Sequence, residues 1–219
     1  MTREEILNMA VYIQFAHAEK YKEYGIDNVV KLPYNDKNDV YSKWKKNEHH
    51  FSTEYHRKYV IPLLCSILKI EYNKNDFMLC DRKYNGFDIS ILTPKKEYRY
   101  EIYGYTRNEH FDNLSFNDVV TNNSSKKDIT EYHRLYKYSH ECSRLINKTI
   151  ESSRNLFISG DSQMIPDIAF LSCFFKEVWY FDNRENGINK EKYKDYNFTD
   201  AIVELGCGTY NDYTFKNFK

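Results

Sequence analysis

The stretch Leu156-Phe157-Ile158-Ser159-Gly160-Asp161-Ser162 decides how the rest of the chain reads. Residues suited to a buried strand run directly into Gly-Asp-Ser, and a second apolar segment starts at Met164. Glycine at a strand end permits a tight turn into a helix. A serine just beyond it has its hydroxyl at the strand's carboxyl end, beside N–H groups that the first turn of a helix leaves unsatisfied. Ser162 is therefore a candidate nucleophile. Asp161 reads as a turn residue whose side chain bonds local N–H groups.

The pattern continues downstream as a βαβ unit. Met164 to Phe175 predicts a helix with Pro166 in its first turn, where a missing N–H is tolerated. Lys176-Glu177 closes it. Val178 to Phe181 is a second run of strand formers, ending at Asp182-Asn183-Arg184, and Asp200 to Leu205 is a third, ending at Gly206-Cys207-Gly208. Strands separated by helix-length connections predict a parallel sheet covered on both faces, with a ligand crevice at the carboxyl ends of the strands. Ser162, Arg184 and Gly206 all fall at that edge.

From Leu156 to Arg184 the chain resembles the C-terminal part of SGNH-type proteins of the DHHW class, relatives of the alginate O-acetylation proteins. Their Gly-Asp-Ser turn is followed by a helix and a strand that ends in an acidic and a basic residue. Their second signature, Asp-His-His-Trp-Thr, precedes the serine and leads into a helix. Here Glu48-His49-His50-Phe51-Ser52-Thr53-Glu54 precedes Ser162, and the periodic stretch Tyr55 to Ile70 suits a helix. The resemblance implies an α/β fold, an SGNH-like three-layer α/β/α sandwich with a mainly parallel sheet, over residues 46–219. It also implies His50 as the base, Glu48 in the orienting role and His49 as a neighbour that positions the turn. Glu48 stands where the family has Asp, and Phe51 where it has Trp. The extra methylene of Glu changes the reach of the carboxylate to the imidazole, though Glu serves in some hydrolase triads.

The chemistry requires these groups together. A serine hydroxyl is a weak nucleophile until a neutral imidazole takes its proton, and a carboxylate on the far nitrogen fixes the tautomer and stabilises the cation. Acyl transfer also develops an oxyanion, whose stabilisation is worth on the order of 3 kcal/mol per donor. The Ser162 N–H is one candidate donor. The oxyanion and substrate-binding set is completed by Gly160 at the turn, Arg184 for an oxyanion or substrate carboxylate, and Gly206 and Gly208 in the loop after the third strand. No metal and no resident cofactor is expected; acetyl-CoA or another acetyl ester would serve as acyl donor.

Other motifs point elsewhere. Ile202-Val-Glu-Leu-Gly-Cys-Gly-Thr209 matches the first motif of AdoMet-dependent methyltransferases, but the further strands of that fold would have to lie downstream of it, where the sequence offers little. Glu54, Asp88 and Glu101 echo the layout of restriction-type nucleases; Tyr103 stands where that chemistry needs a lysine to activate water beside a metal. Among Glu48, His49, His50 and His56, the histidines lack the i, i+4 spacing of a helical zinc pair. The five cysteines, at 65, 80, 142, 173 and 207, form no Cys-x-x-Cys pair and suggest packed, reduced thiols in a reducing compartment.

A chain of 219 residues fits one domain of moderate size with a real core. Its 32 basic and 32 acidic side chains cancel, so no basic excess points to nucleic acid. The abundance of tyrosine, asparagine and lysine fits an AT-rich genome and a sugar-stacking surface equally well. Residues 1–25, beginning Thr2-Arg3-Glu4-Glu5 with Ile6, Met9, Ile13 and Ala16 at helical spacing, predict a packing helix, and residues 1–45 read as an N-terminal helical extension. No signal-peptide core or membrane span is visible, so a cytoplasmic location without membrane insertion is expected. Asp88 to Leu92 and Tyr98 to Tyr105 flank Thr93-Pro94-Lys95-Lys96 and predict a hairpin. Asn108 to Lys127 reads as a polar loop and Asp128 to Arg154 as a helix or helix pair.

The expected function is acyl-ester chemistry on a carbohydrate or polysaccharide, by O-acetyl transfer or de-esterification through acyl-Ser162; the glycan preference comes from the resemblance alone. The alternatives are a non-catalytic carbohydrate-binding protein of the same fold and a metal-dependent nuclease built on Asp88 and Glu101. The sequence leaves the oligomeric state open.

Overall fold

The computed structural model describes residues 10–14, 29–31, 53–84, 87–105, 108–120, 142–182 and 196–205. Leu156 to Gly160 belongs to strand β8, Asn155–Gly160, which sits inside an eight-stranded sheet of order β2-β1-β10-β8-β9-β7-β5-β6. The other members are β1 (Ala10–Gln14), β2 (Val29–Lys31), β5 (Arg99–Gly104), β6 (Glu109–Ser115), β7 (Ser143–Asn147), β9 (Glu177–Asp182) and β10 (Asp200–Leu205). β3 (Phe77–Tyr84) and β4 (Phe87–Pro94) form a separate antiparallel pair.

β8, β9 and β10 are parallel neighbours, and β1 and β2 extend the parallel part beyond β10. Their near-continuous apolar runs suit strands buried on both faces: beyond its first residue β8 is buried throughout, as is β9. The other half of the sheet differs. β7 runs antiparallel to β9, β5 antiparallel to β7, and β6 antiparallel to β5. The expected three-layer α/β/α sandwich on a mainly parallel sheet is thereby corrected to a mixed sheet with a second, antiparallel hairpin sheet and few, short helices among the described residues. The physical reason lies in alternation: Tyr100, Ile102 and Gly104 are buried while Arg99, Glu101 and Tyr103 are not, and β7 alternates likewise. One wet and one dry face is the habit of antiparallel strands.

The expected N-terminal helical segment is also corrected, because Ala10–Gln14 pairs with β10 from Ala10 opposite Ala201 to Gln14 opposite Leu205. The β-forming run Ala-Val-Tyr-Ile-Gln satisfies its backbone in the sheet, and this tertiary pairing overrides a helical spacing of apolar residues. The predicted hairpin is re-partnered: β4 pairs back to β3, while β5 crosses to the main sheet. The described part of the predicted polar loop is β6 and helix α2 (Phe116–Val120), and β7 lies within the predicted helix pair.

Two longer helical segments carry the core. α1, residues 53–67, is continuous through Thr53–Tyr55, a π turn at His56–Val60 and Ile61–Ile67; the N–H of Ile61 reaches back to the carbonyl of His56. α3, Ile165–Leu171, begins with Pro166 in its first turn, as the sequence predicts. Val60 and Leu64 of α1, Ile168 and Leu171 of α3, and Leu156, Ile158 and Tyr180 of the sheet belong to one buried cluster. β4 packs against α1, α2 and α3, so the hairpin sheet caps this side. On the other side of the sheet Phe157, Phe181 and Phe198 are buried with Trp179. There one cross-strand row runs His110, Tyr103, Arg144, Trp179, Phe157, Ala201. Tyr103 stacks on His110 at 4.4 Å, and the Arg144 guanidinium lies 5.8 Å from the Tyr103 ring and 5.3 Å from that of Trp179. A two-pronged bond from Arg144 to Glu177, 2.8 Å on each prong, completes it and welds the antiparallel half to the parallel half.

Candidate active site

Ser162 lies two residues beyond β8, in the turn that leads into α3, at the carboxyl end of the parallel strands. The turn is gripped from several directions. The Asp161 side chain accepts the Gln163 N–H at 2.8 Å, the local turn bond its sequence context predicts, and the Asp161 carbonyl accepts from the Met164 N–H at 3.2 Å. From β10, the fully buried Glu204 accepts the Asp161 N–H at 2.8 Å. From β9, the Tyr180 hydroxyl reaches the carbonyls of Asp161 and Gly160 at 3.2 and 3.4 Å, long for such bonds.

Gly160 is the residue this packing demands. A Cβ there would sit 2.8 Å from Met164 Cγ and 3.2 Å from Glu204 Oε2, so only the hydrogen of glycine lets β8, β10 and the start of α3 meet. Asp182, buried at the end of β9, pairs in register with Gly160. Asp161, Ser162 and Gln163 are themselves buried, Ser162 to 4% exposure, which places the hydroxyl in a low-dielectric setting where charge–dipole interactions are strong.

A second polar pair is buried nearby in the fold. His56 Nδ1 lies 2.8 Å from Asp167 Oδ2, at 4% and 1% side-chain exposure. His56 opens the π turn of α1, a local widening often found at functional sites, and Asp167 is in the first turn of α3. Burial, with the Asp167 carboxylate second, pushes the thiol of Cys65 up to about 12, so this thiol is inert packing rather than a nucleophile. Burial does the same to Cys173, also to about 12.

Of the residues expected from sequence, Gly160 and Ser162 are described and lie together at the turn. Glu48, His49, His50, Arg184, Gly206 and Gly208 lie outside the described residues. Sequence reasoning missed Glu204, Tyr180 and the His56–Asp167 pair. Glu204 had a signal, a lone acid inside Ala-Ile-Val-Glu-Leu; so had Asp167, inside Ile-Pro-Asp-Ile-Ala. Both are polar residues at strand or helix positions that pattern assigns to the core.

The two acids of the alternative constellation stand on strands of different sheets. Glu101 is on β5 and Asp88 on β4 of the other sheet. The Glu101 carboxyl is held down at about 2 by the Tyr103 hydroxyl first, then by Lys148 and His110. Among the described residues no three His, Cys, Asp or Glu side chains are grouped to hold a metal ion, and no helix is long and apolar enough to cross a membrane.

No protein-family profile and no curated protein matches this chain. Solved structures do. PatB1 of Bacillus cereus with a sulfonyl adduct superposes with a TM-score of 0.69 at 14% identity, covering 98% of this chain and 87% of the other. A second structure of Bacillus cereus PatB1 gives 0.66 at 14%, covering 97% and 87%. A DHHW family protein from Eubacterium siraeum gives 0.61 at 12%, covering 96% and 80%. The chain thus shares its fold, over nearly its whole length, with PatB1 and a protein of the DHHW family.

Proposed function

We propose that this protein performs serine-dependent acyl-ester chemistry of the SGNH type, O-acetyl transfer or ester hydrolysis, on a glycan or related carbohydrate. Ser162 attacks the ester carbonyl while its proton passes to His50, which Glu48 orients. The tetrahedral oxyanion rests on the Ser162 N–H, with Gly160, Gly206 and Gly208 shaping the donor loops and Arg184 meeting substrate charge. Collapse breaks the ester C–O bond, the proton moves from His50 to the departing alkoxide, and acyl-Ser162 remains. A sugar hydroxyl or water, deprotonated by His50, then takes the acyl group and regenerates the serine. Which acceptor wins depends on how well the site excludes water. A cytoplasmic location belongs to the same proposal and rests on the sequence alone.

The observation that carries this reading is the buried bond between His56 and Asp167. It ties the helix that begins three residues after His50 to the helix that begins three residues after Ser162, the two segments that must meet for the chemistry. The fold shared with PatB1, one of whose structures carries a sulfonyl adduct, adds support, since sulfonyl electrophiles capture activated hydroxyl nucleophiles.

The test is intact-protein mass spectrometry after brief exposure to p-nitrophenyl acetate and, separately, to phenylmethylsulfonyl fluoride. One adduct mapped to Ser162, and missing from Ser162→Ala and His50→Ala, is expected. An adduct that persists in Ser162→Ala, or none with any probe, refutes the acyl-serine and leaves a non-catalytic carbohydrate-binding protein as the reading to pursue.

A further inference from the structure

The strand β10 carries an acidic residue where the packing calls for an apolar one. Ala201, Ile202 and Val203 are buried, and Glu204 beside them has no exposed surface at all. Taking a carboxylate out of water costs several kcal/mol unless hydrogen bonds compensate, so a carboxylate here needs the bonds that the fold supplies. It accepts the Asp161 N–H at 2.8 Å, the amide one residue before Ser162. The same oxygen would lie 3.2 Å from a Cβ at Gly160, so the carboxylate is pressed against the turn itself. On the other flank Tyr180 of β9 donates toward the carbonyls of Gly160 and Asp161. The peptide between Gly160 and Asp161 is therefore held at its N–H by one neighbouring strand and at its carbonyl by the other, which also reaches the carbonyl of the next peptide.

We propose that Glu204, with Tyr180, is a positioning residue for the nucleophile: Glu204 holds the Gly160–Asp161 peptide and Tyr180 the carbonyl of the Asp161–Ser162 peptide, and together they fix the direction of the serine hydroxyl and of the Ser162 N–H. Neither residue touches the reacting atoms in this role. The inference rests on the acyl-Ser162 reading and adds to it the element that aims the serine. A misplacement of about 1 Å can cost about 100-fold in rate, through the chemical step rather than through binding.

The experiment compares wild type, Glu204→Leu and Glu204→Gln for turnover of p-nitrophenyl acetate and for the rate of Ser162 sulfonylation by phenylmethylsulfonyl fluoride, with thermal melting as the fold control. Glu204→Gln keeps an oxygen that accepts the Asp161 N–H. The expected result is a Glu204→Leu protein that folds, with kcat and the sulfonylation rate lowered about 100-fold and KM unchanged, while Glu204→Gln retains most of both. Wild-type kcat in Glu204→Leu overturns the proposal, as does an equal loss in both variants, which would make the charge and not the hydrogen bond the active feature. Tyr180→Phe removes only a hydroxyl and keeps the packing; it should lower kcat with KM unchanged, and a wild-type kcat overturns the clamp even where Glu204→Leu does not fold. Absence of Ser162 labelling in the wild type itself is a different failure, that of the acyl-serine reading, and the positioning role falls with it.

Discussion

Truncating Asp167 to alanine probes the join between the two helices that frame the candidate site. The perturbation removes the only carboxylate seen to bond His56 among the described residues, and the imidazole stays where it is, at 4% side-chain exposure. Breaking a buried pair by deleting one partner costs about 3–5 kcal/mol when charge is left uncompensated and about 1–3 kcal/mol when a neutral polar group is stranded. An expected loss of about 3 kcal/mol spans both cases, and for a domain of this size it lowers the melting temperature by roughly 6–12 °C. The pair is not fully satisfied even in the native protein, since Asp167 Oδ1 has no hydrogen-bond partner among the described residues. Replacing both residues together, His56→Leu with Asp167→Leu, should therefore recover most of the loss or exceed the wild type, because an apolar pair carries no desolvation penalty. The assay is urea unfolding followed by the fluorescence of the buried Trp179, run as a double-mutant cycle. Single variants that each lose less than about 1 kcal/mol, or a double variant whose loss equals the sum of the singles, would refute the reasoning.

Two further predictions concern the sheet and the turn. The Glu101 carboxyl is held at about 2, below the 4.5 of a free glutamate, first by Tyr103 and then by Lys148 and His110, so its stabilisation is complete above about pH 4.5 and is lost as pH falls toward 2. The melting-temperature gap between wild type and Glu101→Gln should be constant from pH 7 to 5 and close between pH 4.5 and 2; a gap that stays constant throughout would contradict the assignment. Gly160→Ala forces its new methyl to within 2.8 Å of Met164 Cγ. It should cost about 1–3 kcal/mol of stability and slow Ser162 labelling, with partial recovery when Met164→Ala is added; wild-type melting of the single variant would show that the turn has slack.

The parts of the fold that could be read from the chain were those decided by local pattern. β8 and β10 fall where the apolar runs ending at Gly160 and Leu205 predict, α3 starts at its proline, and α1 occupies the periodic stretch after the His-His segment. Its π turn at His56–Val60 left no local mark. Where local pattern was ambiguous the reading failed. Ala10–Gln14 fits either a helix or a strand, and only its pairing with β10 decides. Ser143–Asn147 alternates cleanly once isolated, but it was hidden at the end of a segment whose earlier residues have helical spacing.

The candidate site divides along the same line. Sequence alone determined the Gly-Asp-Ser turn, because Gly-Asp-Ser between an apolar strand and an apolar helix is a statement about neighbours along the chain, and those neighbours build the turn themselves. Only the tertiary structure decided what grips that turn and what joins α1 to α3. Glu204 stands 43 residues from Asp161, and His56 stands 111 from Asp167. A polar residue at a core position announces that it has a partner, since an unpaired one would cost several kcal/mol. It does not announce which partner, because that depends on sheet order and helix packing, which sum over the whole chain.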